Sequence, residues 1–389
     1  MRRISGGFRP GVAIAVIAAM AFANSIPAMA QDAQTDTNDQ AALPPSPPAQ
    51  ATPAPATPSA AMPGYGIADF MRTFAGVGII GEMNSSETYG AVQQRIGQYT
   101  AHAQAAQYGD DLSHVRDNAT SYVVPAHVTF ELPGDGNTLL KVGGAAIYAR
   151  GNESAPTDQD SDGYNFLAEV LRRIAPNQAI GVGFATEVTD VDLKDSGGHI
   201  DSRGTGVRLD YVNRLSPTTG LAVRAIVLDG RDVTGMPGIP TARQKWRRYF
   251  TEAKLMKTLD HRNAGFVPEG WFLRPAVEAV YQASRGYGSN PAEDENYGFV
   301  EGSLRLEKQE FRNWHFAPYV EAGLIREFVQ DISPKGQDAG NDPTVLYSKI
   351  GGSTRLGGHG RLDLYYARRD GAKGIYNQQT INLLISIDI

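Results

Sequence analysis

The sequence predicts an all-β protein, a transmembrane antiparallel up-and-down β-barrel of about twelve strands preceded by a short helical segment. Three observations predict it. From about residue 137 to the end, apolar and polar residues alternate with a period of two, as in strands with two unlike faces. The runs are about ten residues or a little longer, the length a tilted strand needs to cross a bilayer. Between them, short turns alternate with longer polar segments.

The runs fall at 138–150, 163–174, 177–192, 204–214, 219–229, 243–258, 269–283, 296–308, 313–329, 346–356, 360–370 and 380–389. In the second of the central hairpins' strands, Ile180, Val182, Phe184 and Val188 point one way and Gly181, Gly183, Ala185 and Glu187 the other. The final run sets Ile381, Leu383, Ile385, Ile387 and Ile389 against Asn382, Leu384, Ser386 and Asp388. Its apolar face is expected to touch lipid while its edge closes against the first strand. Only a closed barrel leaves no unpaired strand edge in hydrocarbon. A soluble sandwich or lipocalin-like barrel would read the same alternation as core against solvent, but twelve long strands would make it unusually tall.

Short turns are expected at 175–177, 216–220, 310–313 and 357–360, and a longer connection on the same side at 260–270. Long polar loops are expected at 151–162, 194–202, 231–242, 286–295, 330–343 and 371–379. This asymmetry is that of periplasmic turns and extracellular loops. An even strand count puts both barrel ends on the periplasmic side. The alternating run 122–132 (YVVPAHVTFEL), read as a strand outside the barrel, leaves the count open.

Ahead of the strands the composition changes twice. Arg2 and Arg3, the apolar stretch 11–23 and the small-x-small end at Ala28-Met29-Ala30 predict a cleaved export signal over 1–30. Residues 31–63 are rich in Pro and Ala and predict a disordered, polyproline-leaning linker. A mainly helical segment is expected over 64–136, with the barrel at 137–389. Within that segment 86–107 has an N-cap candidate at Ser86 and apolar Tyr89, Val92, Ile96, Tyr99 and Ala103 at helical spacing. Residues 68–83 read as a second short helix or a Gly-broken loop.

Outward apolar faces imply inward polar ones. The predicted lumen lining includes Arg208, Asp210, Arg224, Arg274, Glu278, Glu301, Arg305, Glu321, Arg361 and Asp363. The mixed signs suit a hydrated channel or ion pairs packed around an inserted element, not a one-sign selective constriction. The chain has no cysteine, which removes disulfides, thiolate metal sites and thiol nucleophiles. The net charge of −6 argues against nucleic acid. Of the seven histidines, none sits in HExxH, and no GxSxG occurs. His199 with Asp201 and Ser202 is the one residual hydrolase-like grouping, and enzymatic activity is not expected.

Four stretches carry a family resemblance: 160–193, 204–230, 316–328 with Pro318, Tyr319, Val320 and Glu321, and 364–387. Through them the chain resembles the translocator (β) domain of autotransporters, the barrels of type V secretion. The resemblance implies a Gram-negative outer-membrane location, assembly by the barrel-assembly machinery, and a helix before the barrel threading the pore, here 86–107. Two functions remain open. One is a translocator that anchors or exports its own short N-terminal segment. The other is a stand-alone porin-like passive channel or structural outer-membrane protein with a periplasmic N-terminal extension. Expected partners are outer-membrane lipid and lipopolysaccharide, the assembly machinery and periplasmic chaperones, and no cofactor.

Overall fold

The computed structural model describes residues 87–107, 117–133, 136–151, 159–194, 197–309, 316–332, 334–335, 342–356 and 360–388. The readings for 1–30, 31–63 and 68–83, together with Ser86 and Ile389, lie outside the described residues.

One helix, α1 (Glu87–Gln107), precedes thirteen strands. The strands are β1 (Asp117–Glu131), β2 (Thr138–Arg150), β3 (Gln159–Ala175), β4 (Gln178–Leu193), β5 (Gly198–Ser216), β6 (Thr219–Met236) and β7 (Ile239–Lys257). They continue as β8 (Trp271–Gly286), β9 (Glu295–Lys308), β10 (Phe316–Asp331), β11 (Thr344–Leu356), β12 (Gly360–Gly371) and β13 (Tyr376–Asp388). Consecutive strands pair antiparallel from β1 to β13, and β13 pairs back onto β1 to close a barrel.

The expectation of about twelve strands holds, and the count that the sequence left open is thirteen. The run that the sequence left outside the barrel, 122–132, is most of β1, so the barrel begins at 117 and not 137. The intended helical segment 64–136 therefore ends in a strand. An odd count forces the closing pair to be parallel, because strand direction alternates around the wall. Asp117 lies opposite Tyr376 and Thr129 opposite Asp388. The parallel register skips Val124 and Pro125 and resumes at Ala126, where proline has no N–H to donate.

Parity also corrects the position of the ends. The rim carrying the β3–β4 and β5–β6 connections, here the turn rim, receives the end of β13. The opposite loop rim receives the start of β1. The two ends of the barrel wall lie at opposite rims.

Two of the expected long loops, 194–202 and 231–242, are largely strand where they are described. β5, β6 and β7 run 19, 18 and 19 residues, and β6 and β7 meet in a two-residue turn at 237–238. Pro237 presets the turn, and Gly238 takes a φ of 76° that a side chain would disfavour. At the turn rim, the 258–270 connection is the long one, as the sequence suggested.

Burial decides between a soluble and a membrane barrel. The outward face exposes Tyr164, Phe166, Val182, Phe184, Val207, Leu209, Val320, Leu324, Leu346 and Ile350. The inward face buries Lys141, Glu169, Arg208, Asp210, Arg224, Glu252, Glu278 and Glu301. A soluble barrel would show the inverse. An apolar exterior around a polar interior is the arrangement of an outer-membrane-type barrel. In the closing strand Ile381 and Ile387 are exposed and Leu383 and Ile385 half-buried, while Gln378, Thr380 and Asn382 are buried on the other face.

A candidate plug in the barrel lumen

Helix α1 lies inside the barrel. On its own a 21-residue helix with glycines at 90 and 97 is marginal in water, so its stability comes from the wall. Val92, Ile96 and Tyr99 pack with Phe250, Val280, Tyr297 and Phe299 in one buried apolar cluster. Tyr89 meets Phe250 edge-to-face with ring centroids 5.0 Å apart. These aromatics sit at inward positions of their strands, where alternation places them.

Polar anchors hold both ends of the packed stretch. At the first turn the Glu87 carboxylate accepts hydrogen bonds from Lys349 Nζ at 2.7 Å and Tyr365 Oη at 2.8 Å. Tyr347 Oη and Arg369 Nη2 approach it at 3.2 and 3.4 Å. A carboxylate at a helix N-terminus also complements the helix dipole. Beside it, the Thr88 hydroxyl donates to Glu278 at 2.8 Å. Tyr89 Oη donates to Glu187 at 2.5 Å, and Arg248 donates to both Tyr89 and Glu187.

Two turns on, the Arg95 guanidinium is buried. It donates to Glu327 at 2.9 Å, to Tyr99 Oη at 2.6 Å and to the Asp342 carbonyl at 3.1 Å. It also stacks 3.6 Å from the Tyr376 ring centroid. Glu327 collects further donors from Tyr99, Gln330 and Tyr297. A buried charge so fully partnered leaves little desolvation cost unmet, whereas removing one partner would expose it in full.

These contacts fix the direction of α1. Glu87 reaches Lys349 and Tyr365 in the middle of β11 and β12. Arg95 and Tyr99 reach Glu327 and Tyr376, close to the loop-rim ends of β10 and β13. The helix thus runs from mid-lumen toward the loop rim, and β1 starts down from that rim.

Toward the turn rim the wall supplies most of its own partners. Lys141 lies 3.7 Å from Glu169, Arg208 is 2.5 Å from Asp210, and Arg224 bridges Asp210 at 3.2 Å and Glu252 at 3.3 Å. Lys254 pairs with Glu278 at 3.0 Å, and Arg274 and Arg305 both pair with Glu307. Two cavities adjoin α1, of about 60 Å³ beside Tyr89 and about 20 Å³ beside Arg95. Such volumes hold one or two waters.

Of the ten residues expected to line the lumen, Arg208, Asp210, Arg224, Glu278, Glu301, Glu321 and Asp363 are buried. Arg274 and Arg305 are paired with Glu307. Arg361 sits near the turn rim, half in solvent, and donates to Asp363 at 2.9 Å. Sequence reasoning missed that Glu87 and Arg95 are the helix's anchors. Both are ordinary charged helix residues until the facing wall is known. The hydrolase-like grouping does not assemble: in β5, His199 and Asp201 point outward and Ser202 alternates to the other face. Among the described residues no group of three His, Asp or Glu side chains is arranged to hold a metal.

The sequence matches no family model and no curated protein. Several solved structures are similar. The β domain of the Bordetella autotransporter BrkA is 15% identical, covers 59% of this chain and 89% of its own, and has a TM-score of 0.41. The translocator domain of the autotransporter NalP from Neisseria meningitidis is 13% identical, covering 74% of this chain and 91% of its own, with a TM-score of 0.40. A Pseudomonas aeruginosa FadL homologue is 9% identical over 61% of this chain and 68% of its own, also with a TM-score of 0.40. Autotransporter translocator domains, which the sequence resembles, are thus among the similar structures.

Proposed function

We propose that the protein is an integral barrel of the Gram-negative outer membrane that closes its own lumen with α1 and anchors the preceding segment on the periplasmic side. The direction of α1 carries this reading. Self-export would require the segment before Glu87 to leave through the loop rim, yet the helix points its C-terminal end there. Short turns at one rim and the far-reaching β5–β7 wall at the other support taking the turn rim as periplasmic. The lumen-filling contacts support a barrel that conducts little until α1 is displaced. The reading invokes no catalysis and no cofactor.

The absence of native cysteine makes the test direct. Single cysteines at Met62→Cys and, as a loop-rim control, Ser289→Cys are treated with a membrane-impermeant maleimide in intact and in permeabilised cells. Anchoring predicts that Ser289→Cys labels in intact cells and Met62→Cys only after permeabilisation. Labelling of both in intact cells would overturn it in favour of self-export.

A further inference from the structure

The outward face of β5–β7 changes character within four residues. Val207, Val227 and Tyr249 lie side by side on neighbouring strands in one apolar row. Four residues nearer the loop rim, the same three strands present Arg203, Arg231 and Lys245, again directly paired across the sheet. The two rows are separated by Thr205, Asp229 and Arg247. At about 3.3 Å per residue the cationic row is about 13 Å along the strands from the apolar one.

Three like charges directly opposite one another on adjacent strands destabilise a sheet. Asp229 does not relieve them, since it is taken by Arg247 at 2.7 and 3.1 Å. Among the described residues none of Arg203, Arg231 and Lys245 forms a close ion pair, although Arg203 feels the Asp190 carboxylate diagonally across the sheet, and all three are exposed. Arg285 lies directly across from Arg247 on β8, and Arg243 follows one row higher on β7. Carboxylates lie to the other side: Asp201 is in the next row on β5, and Asp190 opposes it on β4. The cations are thus gathered in a sector over β5–β8.

We propose that this row binds the phosphates of an anionic lipid in the leaflet at the loop rim, a diphosphorylated lipid A in the outer leaflet. The argument is one of position and charge. The cations stand just above the apolar belt, where headgroup phosphates lie, and face the lipid. Arg gives forked donors that match phosphate oxygens. A bound phosphate also offsets the charge of a row whose nearest carboxylates, Asp190 and Asp201, stand only on its β4 side and reach Arg203 alone. The inference rests on the outer-membrane reading above.

The test uses the full chain, folded in detergent, titrated with diphosphoryl lipid A, with monophosphoryl lipid A of the same acyl composition, and with inorganic phosphate as competitor. Bound lipid is counted by native mass spectrometry, and the barrel is checked by heat-modifiable gel mobility. The R203Q/R231Q/K245Q variant is expected to lose about a hundredfold in affinity for diphosphoryl lipid A, from three charges at headgroup strength. The monophosphoryl lipid is expected to bind the native chain more weakly, and millimolar inorganic phosphate to compete poorly. Equal binding by variant and native chain, with the heat shift intact, would overturn the lipid site. Full competition by inorganic phosphate would overturn it as well, leaving a free-anion site. Loss of the heat shift in the native chain would instead remove the outer-membrane reading.

Discussion

The two halves of the lumen are built from the same strands and the same alternation, yet they are satisfied differently. From mid-lumen to the loop rim the inward residues are aromatic and charged, and they find their partners on α1: Glu327 holds Arg95, Lys349 holds Glu87, and Phe250 packs on Tyr89. Toward the turn rim the inward charges find partners on the next strand, as in the Arg208–Asp210–Arg224–Glu252 chain. Buried charge is stable only when partnered, so the first half needs the helix and the second does not. Displacing α1 should disturb one half and spare the other.

That contrast is sharpest where a buried ion pair is broken. Asp210→Ala leaves Arg208 and Arg224 short of a partner and is expected to cost the barrel about 3–5 kcal/mol. The drop should appear as a lower temperature of the gel-mobility transition, with amide exchange in α1 unchanged. Glu327→Ala strips Arg95 of its carboxylate at similar cost, about 3–5 kcal/mol, but from helix docking. Here residues 87–103 should lose exchange protection and planar-bilayer conductance should rise, while the wall's transition holds. If both variants lower the wall equally, the two halves are one cooperative unit and the comparison fails.

Smaller changes sharpen it further. Phe250→Ala empties a fully buried aromatic site against Tyr89, worth about 3 kcal/mol, and should resemble Glu327→Ala in exchange and conductance. Gly90→Ala works in the other direction. Nothing lies within 4 Å of the added methyl group, and the gain in helix propensity is about 0.5–1 kcal/mol, so α1 should exchange more slowly and conductance fall. Asp229→Asn, which removes an exposed outward pair with Arg247, should leave both readouts unchanged.

Much of the wall was legible because a strand's faces alternate whatever surrounds it. Residues 138–150 were bounded as they stand in β2, and Arg208, Asp210 and Arg224 were assigned inward from parity alone. β1 was not assigned to the barrel. It is one alternating run ahead of the twelve, and alternation does not say which strand it pairs with; only the partner strand shows that it closes the wall, with Pro125 where the parallel register with β13 lapses. The long loops misled for a related reason. Gly, Pro and Asp in 231–242 read as turn residues, but most of them stand in β6 and β7, which continue past the apolar belt.

The amphipathic spacing of Val92, Ile96 and Tyr99 was enough to mark 86–107 as a helix, and the family resemblance implied that it threads the pore. It was not enough to say which way the helix points. Direction depends on which wall residue meets which helix residue, as when Arg95 meets Glu327 across 232 positions of sequence, and on whether the strand count is odd. The period-two wall, its apolar exterior and its charged interior follow from residue order alone, because they are local consequences of alternation. The thirteenth strand, the parallel closure and the polarity of α1 do not, because each depends on pairing between segments far apart in the chain.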